Sequence, residues 1–241
     1  MKKRYVIRAA VTVVLCVAFL NVAFRNYVAN YYPARSYEPE TEQFGETEKY
    51  IIIGDPESTC GFIFYPGAKV EETAYIPLLD AISGADICCV LVKMPHRLAI
   101  FSPNAATEAM EQLSGVEHWY LGGHSLGGAV SASYASAHES ELDGLVLLGS
   151  YPTGKLDALP VLSVYGSEDD ILSRGAYARG IARVEDLTER VIDGGNHSYF
   201  GDYGLQKGDG TATISVQEQW QETADYILNF FVEHSDTTSG E

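Results

Sequence analysis

From residue 50 to residue 233, short apolar runs alternate with longer segments of mixed polarity. Runs over 50–53, 61–65, 87–92, 118–121, 144–148, 161–165 and 190–192 have the length and composition of strands. The run 87–92, ICCVLV, has no polar position, as expected of a strand covered on both faces. Segments 71–83, 104–113, 126–138, part of 172–184, and 216–233 read as helices, with Asn104 a suitable N-cap. Such alternation predicts an α/β fold, a mostly parallel sheet covered by helices on both faces. Ligands of these sheets bind beyond the carboxyl ends of the strands, so chemistry is expected in the loops after the apolar runs. No internal repeat is visible.

The N-terminus follows a different pattern. Residues 9–24 carry no charge, with four bases before them and Arg25 at their end. Sixteen helical residues span about 24 Å against a hydrocarbon core of about 30 Å. Snorkelling of Arg8 and Arg25 and local thinning accommodate that shortfall. Residues 1–32 are therefore read as a signal-anchor in preference to a cleaved signal peptide. The excess of bases before the run places the N-terminus in the cytoplasm and the following domain outside a cell membrane. Residues 33–49 are polar and proline-punctuated, and read as a linker to a domain over 50–235. A flexible tail is expected over 236–241.

Composition narrows the class. The chain has 241 residues, 46% hydrophobic and 20% charged, an ordinary globular balance. Residues 36–241 hold all 33 acids and ten of the 16 bases, a net charge of −23. That body repels nucleic-acid phosphates, so nucleic acid is excluded as a partner. The domain is expected to be monomeric. Export would permit one disulfide, between Cys60 and either Cys88 or Cys89. Adjacent strand residues face opposite ways, so at most one of the two can meet Cys60. Small buried thiols are the preferred reading.

The candidate chemistry centres on LGGHSLGGA, residues 121–129. Ser125 follows an apolar strand and precedes a small-residue helix. A sharp turn there lifts a hydroxyl above the sheet, and Gly123 and Gly127 leave the room it needs. A serine hydroxyl needs a base, and the base needs an orienting carboxylate. His197 lies late in the chain, in DGGNHSYFGDYG after the strand 190–192. His124 is expected to point away from the hydroxyl, and the remaining histidines sit before the serine, at the wrong strand end or at helix ends. The carboxylate is expected at the end of strand 161–165: Asp169, with Asp170 next. Two backbone donors would hold an oxyanion. The amide of Leu126 is one. Pro66 has none, so Ala68, ahead of Gly67, is the other. Asp202 and Asp209 do not have the spacing of a calcium loop. No metal and no cofactor are expected.

On FYPGAKV, GGHSLGGAVSASYA, VLSVYGSEDD and GGNHSYFGDYGLQKGDGTATIS, the chain resembles the α/β-hydrolases, over roughly 45–235. It is most similar to the small bacterial alpha/beta hydrolase fold-5 branch, which is dienelactone-hydrolase-like in form. The resemblance implies catalysis by Ser125, Asp169 and His197 through an acyl-enzyme. It brings no substrate, since dienelactone hydrolases use cysteine where this chain has Ser125. Only residues 149–159 separate two neighbouring strands, too few for a helical cap domain, so an open site is expected. Met94, Leu98 and Phe101 are the expected pocket residues. The leading reading is an exported serine hydrolase acting on a small-molecule carboxylic ester. An amidase or peptidase with the same triad is the alternative, followed by a non-catalytic surface protein on this scaffold.

Overall fold

The computed structural model describes residues 2–35, 44–84 and 86–235. The tail 236–241 and residues 36–43 of the expected linker lie outside them. The chain divides into two units, Met1–Tyr31 and Tyr32–Glu241. The first is one helix, α1 (Lys2–Ala29). Its apolar stretch, Val11–Ala29, has 19 residues, none buried. It runs on past Arg25, so it measures about 28 Å rather than 24 Å. By length and composition it fits a membrane span or a signal sequence alike.

The second unit is built on an eight-stranded sheet. In chain order its elements are β1 (Phe44–Glu46), β2 (Tyr50–Ile53), β3 (Cys60–Tyr65), α2 (Ile76–Ser83), β4 (Ile87–Val92), α3 (Ala105–Gln112), β5 (His118–His124), α4 (Leu126–Ala135), β6 (Gly144–Leu148), β7 (Val161–Gly166), α5 (Arg174–Ile181), β8 (Leu187–Ile192) and α6 (Val216–Ser235). The strand order is β1-β2-β4-β3-β5-β6-β7-β8. The β1–β2 and β2–β4 pairs are antiparallel, and all others are parallel.

Side chains alternate between two cores. In β4, Ile87, Cys89 and Leu91 join the core under α2 and α6, while Cys88, Val90 and Val92 join that under α3 and α4. That two-sided burial is why the run contains no polar residue. Cys60 packs on the same side as Cys89 but stands opposite Ile87 in the register, and all three body cysteines are free thiols. Burial pushes the Cys60 thiol up to about 12 and Cys88 to about 11, so both are poor nucleophiles at neutral pH.

Several expected boundaries differ. The expected linker is partly folded onto the domain, with β1 paired to β2, and Tyr32, the last residue of the expected N-terminal segment, bridges to Val70. The Tyr32 amide donates to the Lys69 carbonyl (2.7 Å), Ala34 N–H to the Glu71 carboxylate (2.9 Å) and Arg35 N–H to the Asp202 carbonyl (2.8 Å). β5 continues through Gly122 and Gly123 to His124, because ladders with β3 and β6 on both sides hold residues of poor strand propensity. Asn104 precedes α3 without a side-chain capping bond. Its dihedrals (φ −98°, ψ 19°) lie outside the extended region that aims a capping oxygen at the first turn. Between β6 and β7 no helix intervenes.

Candidate active site

Ser125 occupies the junction of β5 and α4 with φ 53° and ψ −120°, a backbone state that L-residues rarely adopt. Holding a non-glycine residue there costs of the order of 1–3 kcal/mol. The surroundings hold it in place. Its N–H donates to the Leu148 carbonyl (3.0 Å), and its carbonyl accepts from the Ser150 hydroxyl (2.7 Å) and the Ala129 amide (3.1 Å). A β-carbon on Gly127 would come within 2.1 Å of the Tyr65 carbonyl oxygen and 2.3 Å of that of Pro66. The turn therefore packs directly on the end of β3, as the two-glycine spacing predicts.

His197 and Asp169 are both buried, and His197 Nδ1 donates to Asp169 Oδ2 at 2.8 Å. The other oxygen, Oδ1, accepts the amides of Ile171 (3.0 Å) and Leu172 (2.7 Å). Asp169 is thus fixed at both oxygens, while Asp170, the other candidate, is exposed. Gly149 (φ 52°) lies against this pair, where a β-carbon would sit 2.8 Å from His197 Nδ1. His197 Nε2 is buried and has no hydrogen-bond partner among the described residues. Ser125, Leu126 and His197 line one cavity.

The loop carrying His197 is fixed by residues that sequence reasoning missed or set aside. Asp209 accepts the amides of His197 (3.3 Å), Ser198 (2.8 Å) and Gly210 (2.9 Å) and the Ser198 hydroxyl (2.5 Å). Gln219 of α6 accepts from the Asn196 amide (3.0 Å) and donates to its carbonyl (2.8 Å). The only sequence signal for Asp209 is a carboxylate in a glycine-rich loop after the candidate base. For Gln219 the signal is an uncharged polar residue one turn from the apolar stripe of α6.

His124 is buried and does not line the cavity. Its ring centroid lies 4.4 Å from that of His197, and its Nδ1 is 2.8 Å from the Tyr75 hydroxyl. That hydroxyl also accepts the Gly67 amide at 3.0 Å. Gly67 is thereby occupied, whereas Ala68 N–H has no partner among the described residues. Burial, then the charge of His197, holds His124 well below its ordinary 6.5. His124 is therefore neutral when folded and gains a proton on unfolding at any pH below about 6.5 and above its folded value. Unfolding takes up protons in that window, so stability rises with pH there and falls on acidification, by up to about 1.4 kcal/mol per pH unit. Urea titrations at pH 7.5 and 5.5 are expected to show a smaller acid loss for His124→Gln than for the native chain.

The cavity beside Ser125 has a volume of about 290 Å³. Leu126, Ala129, Ile171 and Leu172 make its apolar wall, and Ser150, Tyr151, Thr153 and Ser173 its polar side. The expected pocket residues are not among its lining. Met94 joins the core under α3 and α4, Leu98 is buried outside the lining, and Phe101 is exposed, edge-on to His96. Two 3₁₀ turns, Pro95–Arg97 and Ala99–Phe101, curl that loop upon itself.

An elbow serine, a buried Asp–His pair and a cavity at the carboxyl edge of a mostly parallel sheet define an α/β-hydrolase arrangement. The model of the Alpha/beta hydrolase family matches residues 61–221, and the chain belongs to that family. Among solved structures, it is similar to MGS-MChE2, an alpha/beta hydrolase from the metagenome of lagoon sediments at Mar Chica, Morocco (12% identity, TM-score 0.61, covering 80% of this chain and 100% of that one). It is similar to Est1E of Butyrivibrio proteoclasticus with ferulic acid bound (13%, 0.58, 80% and 99%). It is also similar to the monoacylglycerol lipase of Paleococcus ferrophilus (16%, 0.60, 78% and 100%). No curated protein matches the chain.

Proposed function

We propose that the chain is an exported serine hydrolase of carboxylic esters, anchored or secreted through α1. Ser125 attacks the ester carbonyl, and His197 Nε2 takes the hydroxyl proton and passes it to the leaving alcohol. Asp169 holds His197 in the tautomer that leaves Nε2 free to accept. The amides of Leu126 and Ala68 receive the oxyanion, and the same histidine then activates water to release the acid. The observation that carries this reading is the strained backbone of Ser125, maintained beside a buried His–Asp pair whose outer nitrogen is unused. That the similar solved structures include an esterase of Thermogutta terrifontis and a monoacylglycerol lipase supports an ester over an amide.

A series of p-nitrophenyl esters graded by acyl length, run beside matching p-nitroanilides, tests the bond and the pocket together. The cavity is small, about 290 Å³, and its apolar wall is limited to Leu126, Ala129, Ile171 and Leu172. Short acyl chains are expected to be turned over and long ones poorly; anilides cleaved faster than esters would count against the proposal. Asp209→Asn is expected to lower kcat about tenfold to a hundredfold with KM nearly unchanged, because it loosens the base loop and not the cavity. A rise in KM at constant kcat would put Asp209 in substrate binding instead.

A further inference from the structure

A second cavity of about 150 Å³ adjoins the catalytic one and shares Tyr151 and Thr153 with it. Its other walls include Arg179 and Arg183. Arg179 lies in the last turn of α5 and Arg183 in the turn that follows the helix, and both are exposed. Residues 36–241 hold 33 acids and ten bases, so carboxylate partners are abundant. Yet neither arginine pairs with a carboxylate among the described residues. Arg183 instead donates to the Thr153 carbonyl, bracing the wall between the cavities. The absence of a β-carbon at Gly180 lets α5 sit close to that wall, since one would lie 2.8 Å from Tyr151 Cβ. Both arginines thus line the cavity that adjoins the catalytic one across Tyr151 and Thr153.

From this we infer that Arg179 and Arg183 form an anion subsite, and that the preferred substrate is an ester with a carboxylate several bonds from the scissile carbonyl. The inference rests on the ester-hydrolase proposal. A body of net charge −23 repels such a substrate at long range, so only a local pair of cations retains it. Guanidinium planes match a carboxylate through two parallel hydrogen bonds.

Two esters of equal chain length provide the test: p-nitrophenyl hexanoate and the mono-p-nitrophenyl ester of adipic acid. At low salt, the full-length protein is expected to prefer the adipate ester in kcat/KM by about tenfold. Added sodium chloride erodes that preference. The double variant Arg179→Gln, Arg183→Gln loses it, and Arg179→Gln alone, which leaves the Arg183–Thr153 contact in place, weakens it while keeping hexanoate turnover within about twofold of the native value. A native enzyme that favours hexanoate, or a preference unchanged in the double variant, overturns the subsite. Inhibition by inorganic phosphate matching that by adipate overturns the choice of carboxylate. Hexanoate turnover abolished by Ser125→Ala separates any of these failures from failure of the ester-hydrolase proposal itself.

Discussion

Ser125→Gly is expected to abolish esterase activity and stabilise the fold at once. Removing the nucleophile of a Ser–His–Asp set lowers kcat by about 10⁶-fold, because the other two members act only through it. The stability effect has a separate origin. At φ 53° and ψ −120° a serine is strained and a glycine is not. Glycine has more freedom to lose on folding, which offsets part of the relief, leaving a net gain of about 1 kcal/mol. Ser125→Ala is expected to lose the same activity without the gain, since alanine is strained as serine is. Thermal melts of the three proteins beside their turnover of a short-chain ester check both halves.

Asp169→Asn is expected to lower kcat by about 10³- to 10⁴-fold while the melting temperature changes little. The side chains are nearly the same size, and an amide oxygen still accepts from Ile171 and Leu172. The amide nitrogen then faces His197 Nδ1, which must accept rather than donate. Its proton moves to Nε2, and the nitrogen that has to receive the serine proton carries one already. Asp170→Asn is the matched control on an exposed neighbour and is expected to retain activity. Equal losses in the two variants would remove Asp169 from the mechanism.

The strands were legible because burial on two faces forces a continuous apolar run, as in Cys88–Cys89 and Leu145–Leu148, whose neighbours divide between opposite cores. The elbow was legible because its backbone tolerates so few residues. Gly127 abuts two carbonyl oxygens, and that constraint shows in the sequence as a glycine at a fixed distance from a serine. The cavity was not legible. Its walls come from 149–153 and 171–173, two loops whose approach is set by the packing of α5 against the segment after β6. The apolar residues of the 94–103 loop do not line the cavity: Met94 belongs to the core under α3 and α4, and Ile100 and Phe101 are exposed. The role of Asp209 is not legible either, because a carboxylate clamping a loop and one facing solvent look alike in sequence. What distinguishes them is the set of amides that the folded loop turns toward Asp209.

The central claim is that Ser125 is a nucleophile activated by His197. Labelling of the folded, full-length protein with a fluorophosphonate, followed by peptide mass spectrometry, addresses it directly. One adduct per chain on Ser125 is expected, lost in Ser125→Ala and strongly slowed in Asp169→Asn. A folded protein that stays unlabelled, or one labelled at another serine, would contradict it.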